Sequence, residues 1–279
     1  MSLFDVLVLI RGAGDLGSGV AYRLFKAGFP VVMTELASPL MVRTTVSYGS
    51  AVPYGSVVVE GITAHRATLD EVPARLAEDT IPVLVDPAGE TIRRLRPPVV
   101  VDARLAKTKL DTTIHDAPLV IALGPGFVAG VDCHAVVETN RGHALGRVIW
   151  QGSAEPDTGV PASVNGRGPE RVLRAPKSGE LVQVANIGDF VKQGEVIARV
   201  DDVPIRAAFD GTLRGLLDTP AQVTEGIKIG DLDPRAKREH CFTISDKSLA
   251  IGGGVVEAVL SAPQIRRLLQ RAFIADLDA

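Results

Sequence analysis

The sequence predicts an α/β protein: a doubly wound parallel sheet of Rossmann-like type, then a β-rich domain and a C-terminal helix. Three observations predict it. The chain opens with an apolar run, a glycine turn Gly12-Ala13-Gly14-Asp15-Leu16-Gly17 and an amphipathic stretch. Later short apolar runs stop at Glu35, at Asp86, at Asp102 or at the turn Gly124-Pro125-Gly126. Beyond about residue 128, short apolar runs alternate with Gly, Pro and Asp turns, and helical periodicity becomes scarce.

The elements follow in order. Residues 6–10 form a continuous apolar run, which suits a strand buried on both faces. Residues 18–27 put Val20, Leu24 and Ala27 on one helical face, and Gly28 follows as a C-terminal stop. Residues 30–34 read as the second strand, closed by Glu35, which completes a βαβ unit. Strands are expected at 57–59, 83–85, 99–101 and 119–123, and short helices at 69–78 and 90–95. This gives domain boundaries of 1–128 and 129–279, with a helix over about 255–277. In that helix Ile265, Leu268, Leu269 and Phe273 form a stripe among Arg266, Arg267 and Arg271.

The glycine turn has the spacing of a dinucleotide fingerprint. Gly12 would make the tight turn, Gly14 would admit a pyrophosphate, and Gly17 would let helix and strand pack closely. Asp15 and Leu16 lie between them, at a helix N-terminus able to face a phosphate. Glu35 stands at the expected interval of about 20 residues for a ribose-binding acid, which favours NAD over NADP. S-adenosylmethionine and FAD use similar turns. A packing turn that binds nothing is the competing structural reading. Gly124 and Gly126, at another strand end, join Gly12, Gly14, Asp15, Leu16, Gly17 and Glu35 as expected cofactor contacts.

Residues 171–217 look like a biotinyl/lipoyl half-barrel, or barrel-sandwich hybrid. The pattern runs from Ala175-Pro176-Lys177-Ser178-Gly179 through Gly188-Asp189-Phe190-Val191 to Ala208-Phe209-Asp210-Gly211. The turn corresponding to the carrier lysine is Asp201-Asp202-Val203-Pro204. It has no lysine, so no covalent biotin or lipoate is expected.

Chemistry-bearing candidates are sparse. Glu138, Arg141 and His143 form a polar stretch that could exchange protons or hold an anion, and they are the catalytic candidates. Whether the protein is an enzyme stays open at this point. Cys133-His134 and His240-Cys241 suggest a zinc site, but adjacent residues on a strand point to opposite faces. No metal is therefore expected; Cys133 and Cys241 are the residues a metal would use. Arg104 and Lys107 follow Asp102 at a strand end, where they could meet a phosphate or carboxylate. The triple glycine Gly252-Gly253-Gly254 reads as an anion-binding turn or as a hinge.

Composition excludes several classes. A net charge of −3 with both signs dispersed argues against a nucleic-acid partner. No apolar run approaches the roughly 18 residues of a membrane span, and Asp5 interrupts the only signal-like stretch. Two cysteines give no disulfide framework, and a reduced cytoplasm is expected.

Several motifs in this order resemble one family, the accessory proteins encoded with selenium-dependent molybdenum hydroxylases. They are the glycine turn, T-E-L-A-S-P-L at 34–40, V-D-A-R-L-A-K at 101–107 and the G-P-G-F turn. V-E-T-N-R-G-H-A-L-G-R-V-I, the half-barrel pattern and I-S-D-K before I-G-G-G complete the set. The family is similar in its Rossmann-like part to xanthine dehydrogenase accessory factors. The resemblance implies maturation of a molybdenum hydroxylase, with a hydroxylase subunit or cofactor-maturation proteins as partners. The expected cofactor is then NAD or another dinucleotide, molybdopterin dinucleotide among them. The alternatives are an NAD-dependent oxidoreductase of a small metabolite and a non-catalytic scaffold with a vestigial Rossmann loop.

Overall fold

The protein is seen in a computed structural model that describes residues 6–106, 108–157, 159–160 and 163–277, with side chains as far as residue 270. Two compact units form. The first takes residues 1–39, 48–157 and 244–279; the second takes 40–47 and 158–243.

The first unit is built on one nine-stranded sheet. In chain order its elements are β1 (Val8–Arg11), α1 (Asp15–Lys26), β2 (Val31–Glu35), α2 (Ala51–Tyr54), β3 (Ser56–Val59), β4 (Ile62–Arg66), α3 (Val72–Ala77) and β5 (Ile81–Val85). Then come α4 (Glu90–Leu95), β6 (Val99–Asp102), β7 (Leu119–Leu123), β8 (Ala135–Val137) and β9 (Val148–Ile149). The strand order is β3-β4-β5-β2-β1-β6-β7-β8-β9. Neighbours from β4 to β8 pair in parallel, while β3 and β9 pair antiparallel at the two edges. The central strands are buried along their whole length because both faces are covered. Leu9, Val32, Val100 and Val120 point to one face, where Leu84, Phe127 and Val136 join them. Ile10, Met33, Val101 and Ile121 are buried on the other.

Two helices late in the chain complete this unit: α5 (Asp246–Ser261) and α6 (Pro263–Leu277). Ser245 caps α5 by accepting from the Ser248 N–H at 3.1 Å. The triple glycine is neither an anion-binding turn nor a hinge, since it lies inside α5. Gly252 and Gly19 let α5 and α1 approach to backbone contact. A Cβ on Gly252 would stand 2.6 Å from the Gly19 carbonyl oxygen, and one on Gly19 would stand 2.6 Å from the Ser248 Cβ. Ile265 is fully buried at the start of α6, whereas Leu268 is exposed. The side chains of Arg271 and Phe273 lie outside the described residues.

The second unit holds β10 (Val172–Arg174), β11 (Gly179–Gln183), β12 (Phe190–Val191), β13 (Val196–Val200), β14 (Val203–Arg206), β15 (Gly211–Leu216), β16 (Ala221–Val223) and β17 (Lys228–Asp233). They make two four-stranded antiparallel sheets, β10-β17-β15-β12 and β14-β13-β11-β16. Both sheets contribute to one core, with Leu181, Ile197 and Val200 from one and Leu213, Ile229 and Leu232 from the other. A buried ion network crosses its first sheet. Arg43 donates to Asp231 at 2.8 Å, and Arg214 and Arg235 pair with Asp233 at 3.2 and 2.5 Å.

These findings correct the expected fold class. The large sheet is mixed rather than all-parallel. The connections β6–β7 and β7–β8 carry no helix among the described residues, so the alternation required by a doubly wound Rossmann layer is absent there. The boundary expected at 128 falls inside the sheet, because β8 and β9 extend it. The expected half-barrel at 171–217 is also replaced. Strand β17, beyond that range, pairs with both β10 and β15 and is central to its sheet. Turn glycines mark hairpins locally, but they say nothing of a first strand pairing with a last.

Candidate functional site

The carboxyl ends of β4, β5, β2, β1 and β6 lie side by side. In open α/β sheets this edge is where ligands bind. Two features occupy it.

The first is a closed charge network. Arg11 ends β1 and is 3% exposed. Its guanidinium grips Asp111, Nη1 to Oδ1 at 3.1 Å and Nη2 to Oδ2 at 2.8 Å. Nη1 also donates to the Thr112 hydroxyl at 2.8 Å. Arg104 holds Asp102 through Nε and Nη2, and offers Nη1 to Asp111 Oδ1 at 2.6 Å. The Thr112 hydroxyl donates to Asp102 Oδ2 at 2.7 Å. Burial opposes ionisation of Asp111, but Arg11 and Arg104 outweigh it and hold that carboxyl well below the usual carboxylate range.

The second is an open crevice of about 620 Å³ at the ends of β4 and β5. Its charged lining is Arg66, Glu71, Asp86, Glu90 and Arg94. The carboxylates there are already engaged. Glu71 accepts from the Thr68 N–H at 2.7 Å and from its hydroxyl at 2.9 Å. Asp86 accepts from the N–H groups of Glu90 and Thr91 at 3.0 and 2.8 Å. Burial pushes the Asp86 carboxyl up, but bonds from Thr91, Glu90 and Gly89 win and hold it below its ordinary value. Glu90 pairs with Arg93. The arginines are less engaged. Arg66 has one long bond, 3.4 Å, to the Val52 carbonyl, and Arg94 makes no hydrogen bond or ion pair among the described residues. The crevice therefore offers two little-engaged guanidiniums as donors, among three carboxylates that already accept bonds from the protein.

The sequence-derived candidates fall elsewhere or are consumed. The glycine turn exists, with Gly12 at φ +96°. Its first two N–H groups face inward: Gly12 donates to the Thr34 carbonyl at 2.9 Å and Ala13 donates to Glu35 Oε2 at 2.8 Å. Glu35 Oε1 accepts from the Leu36 N–H at 2.8 Å, so both carboxylate oxygens serve the backbone rather than a ribose. A Cβ on Gly12 would stand 3.1 Å from the Ala103 carbonyl, and Gly17 packs on the Gly12 carbonyl. Asp15 accepts from the Ser248 hydroxyl at 2.7 Å, and Leu16 is half-buried. Gly124 donates to the Val137 carbonyl at 2.9 Å and lies against the Thr139 hydroxyl, while Gly126 turns the chain at φ +104°. Around Gly12 and Ala13 the turn thus serves packing, and both Glu35 oxygens are engaged where the dinucleotide reading expects a ribose.

Glu138 is 1% exposed and accepts from the N–H groups of Thr139, Asn140 and Glu155, each at 2.7 Å. Arg141 pairs bidentately with Asp246 at 2.8 Å, and His143 is exposed. The structure does not bring these three together as a catalytic set. Lys107 lies outside the described residues. Cys133 and Cys241 belong to different units and both are buried. Burial pushes the Cys133 thiol up to about 12 and raises that of Cys241 too. His134 Nδ1 accepts from the Val120 N–H at 3.0 Å. Among the described residues no group of three His, Cys, Asp or Glu is placed to hold a metal. Both thiols are expected to resist iodoacetamide at neutral pH in the folded protein and to react in denaturant. Native labelling of either, followed by mass spectrometry, would contradict the burial described.

No helix among the described residues is by itself long and apolar enough to cross a membrane. The pair Asp246–Ser261 and Pro263–Gln270 passes on length and composition only when joined across a 66° bend.

Comparison with known proteins adds little chemistry. No family model matches the chain. The uncharacterized protein YqeB of Escherichia coli (strain K12) is 50% identical over 255 residues, covering 91% of this chain and 47% of that protein. The chain thus spans about half the length of the curated relative it matches. Among solved structures, an aspartoacylase family protein from Mesorhizobium loti is 16% identical, with 82% of this chain and 84% of that one covered, at a TM-score of 0.26. The product-bound ectoine utilization protein EutE from Ruegeria pomeroyi is 11% identical, with 82% and 85% covered, at 0.25. Scores this low establish no common fold. None of these proteins carries the name of a molybdenum hydroxylase accessory protein, a xanthine dehydrogenase accessory factor or an NAD-dependent dehydrogenase. The inward bonds of the Gly12 and Ala13 N–H groups and the bound Glu35 count against the oxidoreductase reading, and no comparison carries the family resemblance further.

Sequence reasoning missed Arg11, Asp111, Thr112, Arg66 and Arg94. A signal existed for Arg11 alone: a charged residue ending a fully apolar strand must find a partner inside the fold.

Proposed function

We propose that the protein binds a small carboxylate-bearing metabolite in the crevice at the ends of β4 and β5. The observation that carries the reading is the uneven engagement of charge there. Glu71, Asp86 and Glu90 are occupied by the protein itself, while among the described residues Arg94 has no partner and Arg66 only a long one. A volume of about 620 Å³ falls within the range of small-molecule sites. A carboxylate suits guanidinium geometry because it accepts two parallel bonds.

Isothermal titration with succinate, glutamate and inorganic phosphate tests this. One of the carboxylates is expected to bind. Arg94→Ala should weaken that binding by about tenfold or more, as expected for one charge-assisted hydrogen bond. Binding of neither carboxylate, or unchanged binding in an Arg66→Ala/Arg94→Ala variant, would overturn the proposal.

A further inference from the structure

The crevice does not account for the charge network beside it. Gly89, next to the crevice residue Glu90, lies against the Arg11 guanidinium: a Cβ there would stand 2.9 Å from Nη2. Arg11 is buried at the end of a central strand, yet its hydrogen-bond partners come from residues 111 and 112 in an irregular connection. Two guanidiniums converge on one carboxylate that is 51% exposed. That is the arrangement a binding site presents to an incoming acid.

We propose that Asp111 occupies, from within the chain, a carboxylate-binding site formed by Arg11 and Arg104, and that a ligand carboxylate replaces it. The two guanidiniums balance the two carboxylates of Asp102 and Asp111. Asp102 is 2% exposed and sits on β6, so it stays. Turning Asp111 outward leaves a buried Arg11 short of one negative charge, which a ligand carboxylate restores. The connection is built to allow this. No backbone–backbone hydrogen bond among its described residues from 104 to 112 ties it to the sheet. Thr112, fully buried and bonded to Arg11, Arg104 and Asp102, is the pivot. The other tether is the ion pair of Lys109 with Asp132 at 2.6 Å, whose lysine is 47% exposed, and such surface pairs hold weakly. This site is distinct from the crevice arginines, so the two proposals fail separately.

The test is acetate binding by the full chain, read by calorimetry, with inorganic phosphate as the competing anion. Asp111→Ala is expected to bind acetate about tenfold tighter than the parent, since the ligand no longer displaces an internal carboxylate. Adding Arg11→Lys should remove that gain, while adding Arg94→Ala should leave it. In the parent, acetate should speed amide exchange at residues 108–111 relative to chloride at equal ionic strength. Acetate affinity unchanged in both Asp111→Ala and Asp111→Asn would overturn the proposal, as would a gain that survives Arg11→Lys. Phosphate binding without acetate binding would overturn the ligand class. If neither Asp111 variant folds, unchanged exchange at 108–111 in the parent is the refuting result.

Discussion

Gly252→Ala is expected to lower the melting temperature, and Gly253→Ala to raise it. The two residues are neighbours in the same helix, and the same substitution is made at each. In an open helix interior, alanine in place of glycine gains about 0.5–1 kcal/mol, because glycine loses more backbone freedom on folding. At Gly253 nothing stands within 4 Å of the new methyl, so that gain is realised. At Gly252 the methyl would meet the Gly19 carbonyl oxygen at 2.6 Å and its carbon at 3.1 Å, both backbone atoms of α1. Rigid backbone cannot swing aside as a side chain can. The helices must separate, at a cost of about 1–3 kcal/mol. Gly254→Ala should be worse, since its methyl would overlap the Gly146 carbonyl. Each kcal/mol corresponds to a shift of roughly 2–4 °C for a protein of this size. Circular-dichroism melts of the three variants decide the matter. Shifts of one sign at 252 and 253 would refute the close crossing of α1 and α5.

Asp233→Ala is expected to cost about 3–5 kcal/mol, the usual penalty for removing one partner of a buried ion pair. Asp233 is 1% exposed and serves both Arg214 and Arg235. Burial alone would push its carboxyl up; the bonds from Arg235 reverse this and bring it down to about 2. Asp231, opposed by burial in the same way, is brought to about 2 chiefly by Arg43. Both folded values lie below the ordinary 3.8, so this stabilisation is complete above about pH 4 and drains away as pH falls toward 2. Urea titrations at pH 7 and pH 3 should show the parent losing stability with acid more steeply than Asp233→Ala. Equal acid sensitivity would show that this pair does not carry the effect.

Local elements were legible in the sequence; their assembly was not. The apolar runs at 99–101 and 119–123 are strands, and 90–95 is a helix, because burial on both faces and helical periodicity are written in neighbouring residues. The partnership of α1 with α5 joins segments more than two hundred residues apart, and no local pattern carries it. It also inverted the meaning of Gly252-Gly253-Gly254. Three glycines disfavour a helix intrinsically, yet the packing they permit outweighs that penalty. The surroundings of the candidate site were hidden for a related reason. The fingerprint spacing of Gly12, Gly14, Gly17 and Glu35 is genuine, but spacing cannot show that the Ala13 and Leu36 N–H groups already occupy the acid. Arg11 and Asp111 lie a hundred residues apart, and only the sheet edge brings them together.

The interleaving of the two units bears on how the chain is made. Helix α1 emerges from the ribosome more than two hundred residues ahead of α5, the helix it packs against, which ends at residue 261. The second unit needs only residues 40–47 and 158–243, all of which emerge earlier. Translation therefore completes the inserted unit first, while the face of α1 destined for α5 waits uncovered. During that interval the nascent chain carries an apolar sheet whose covering helix has not yet been synthesised, the kind of surface that recruits chaperones.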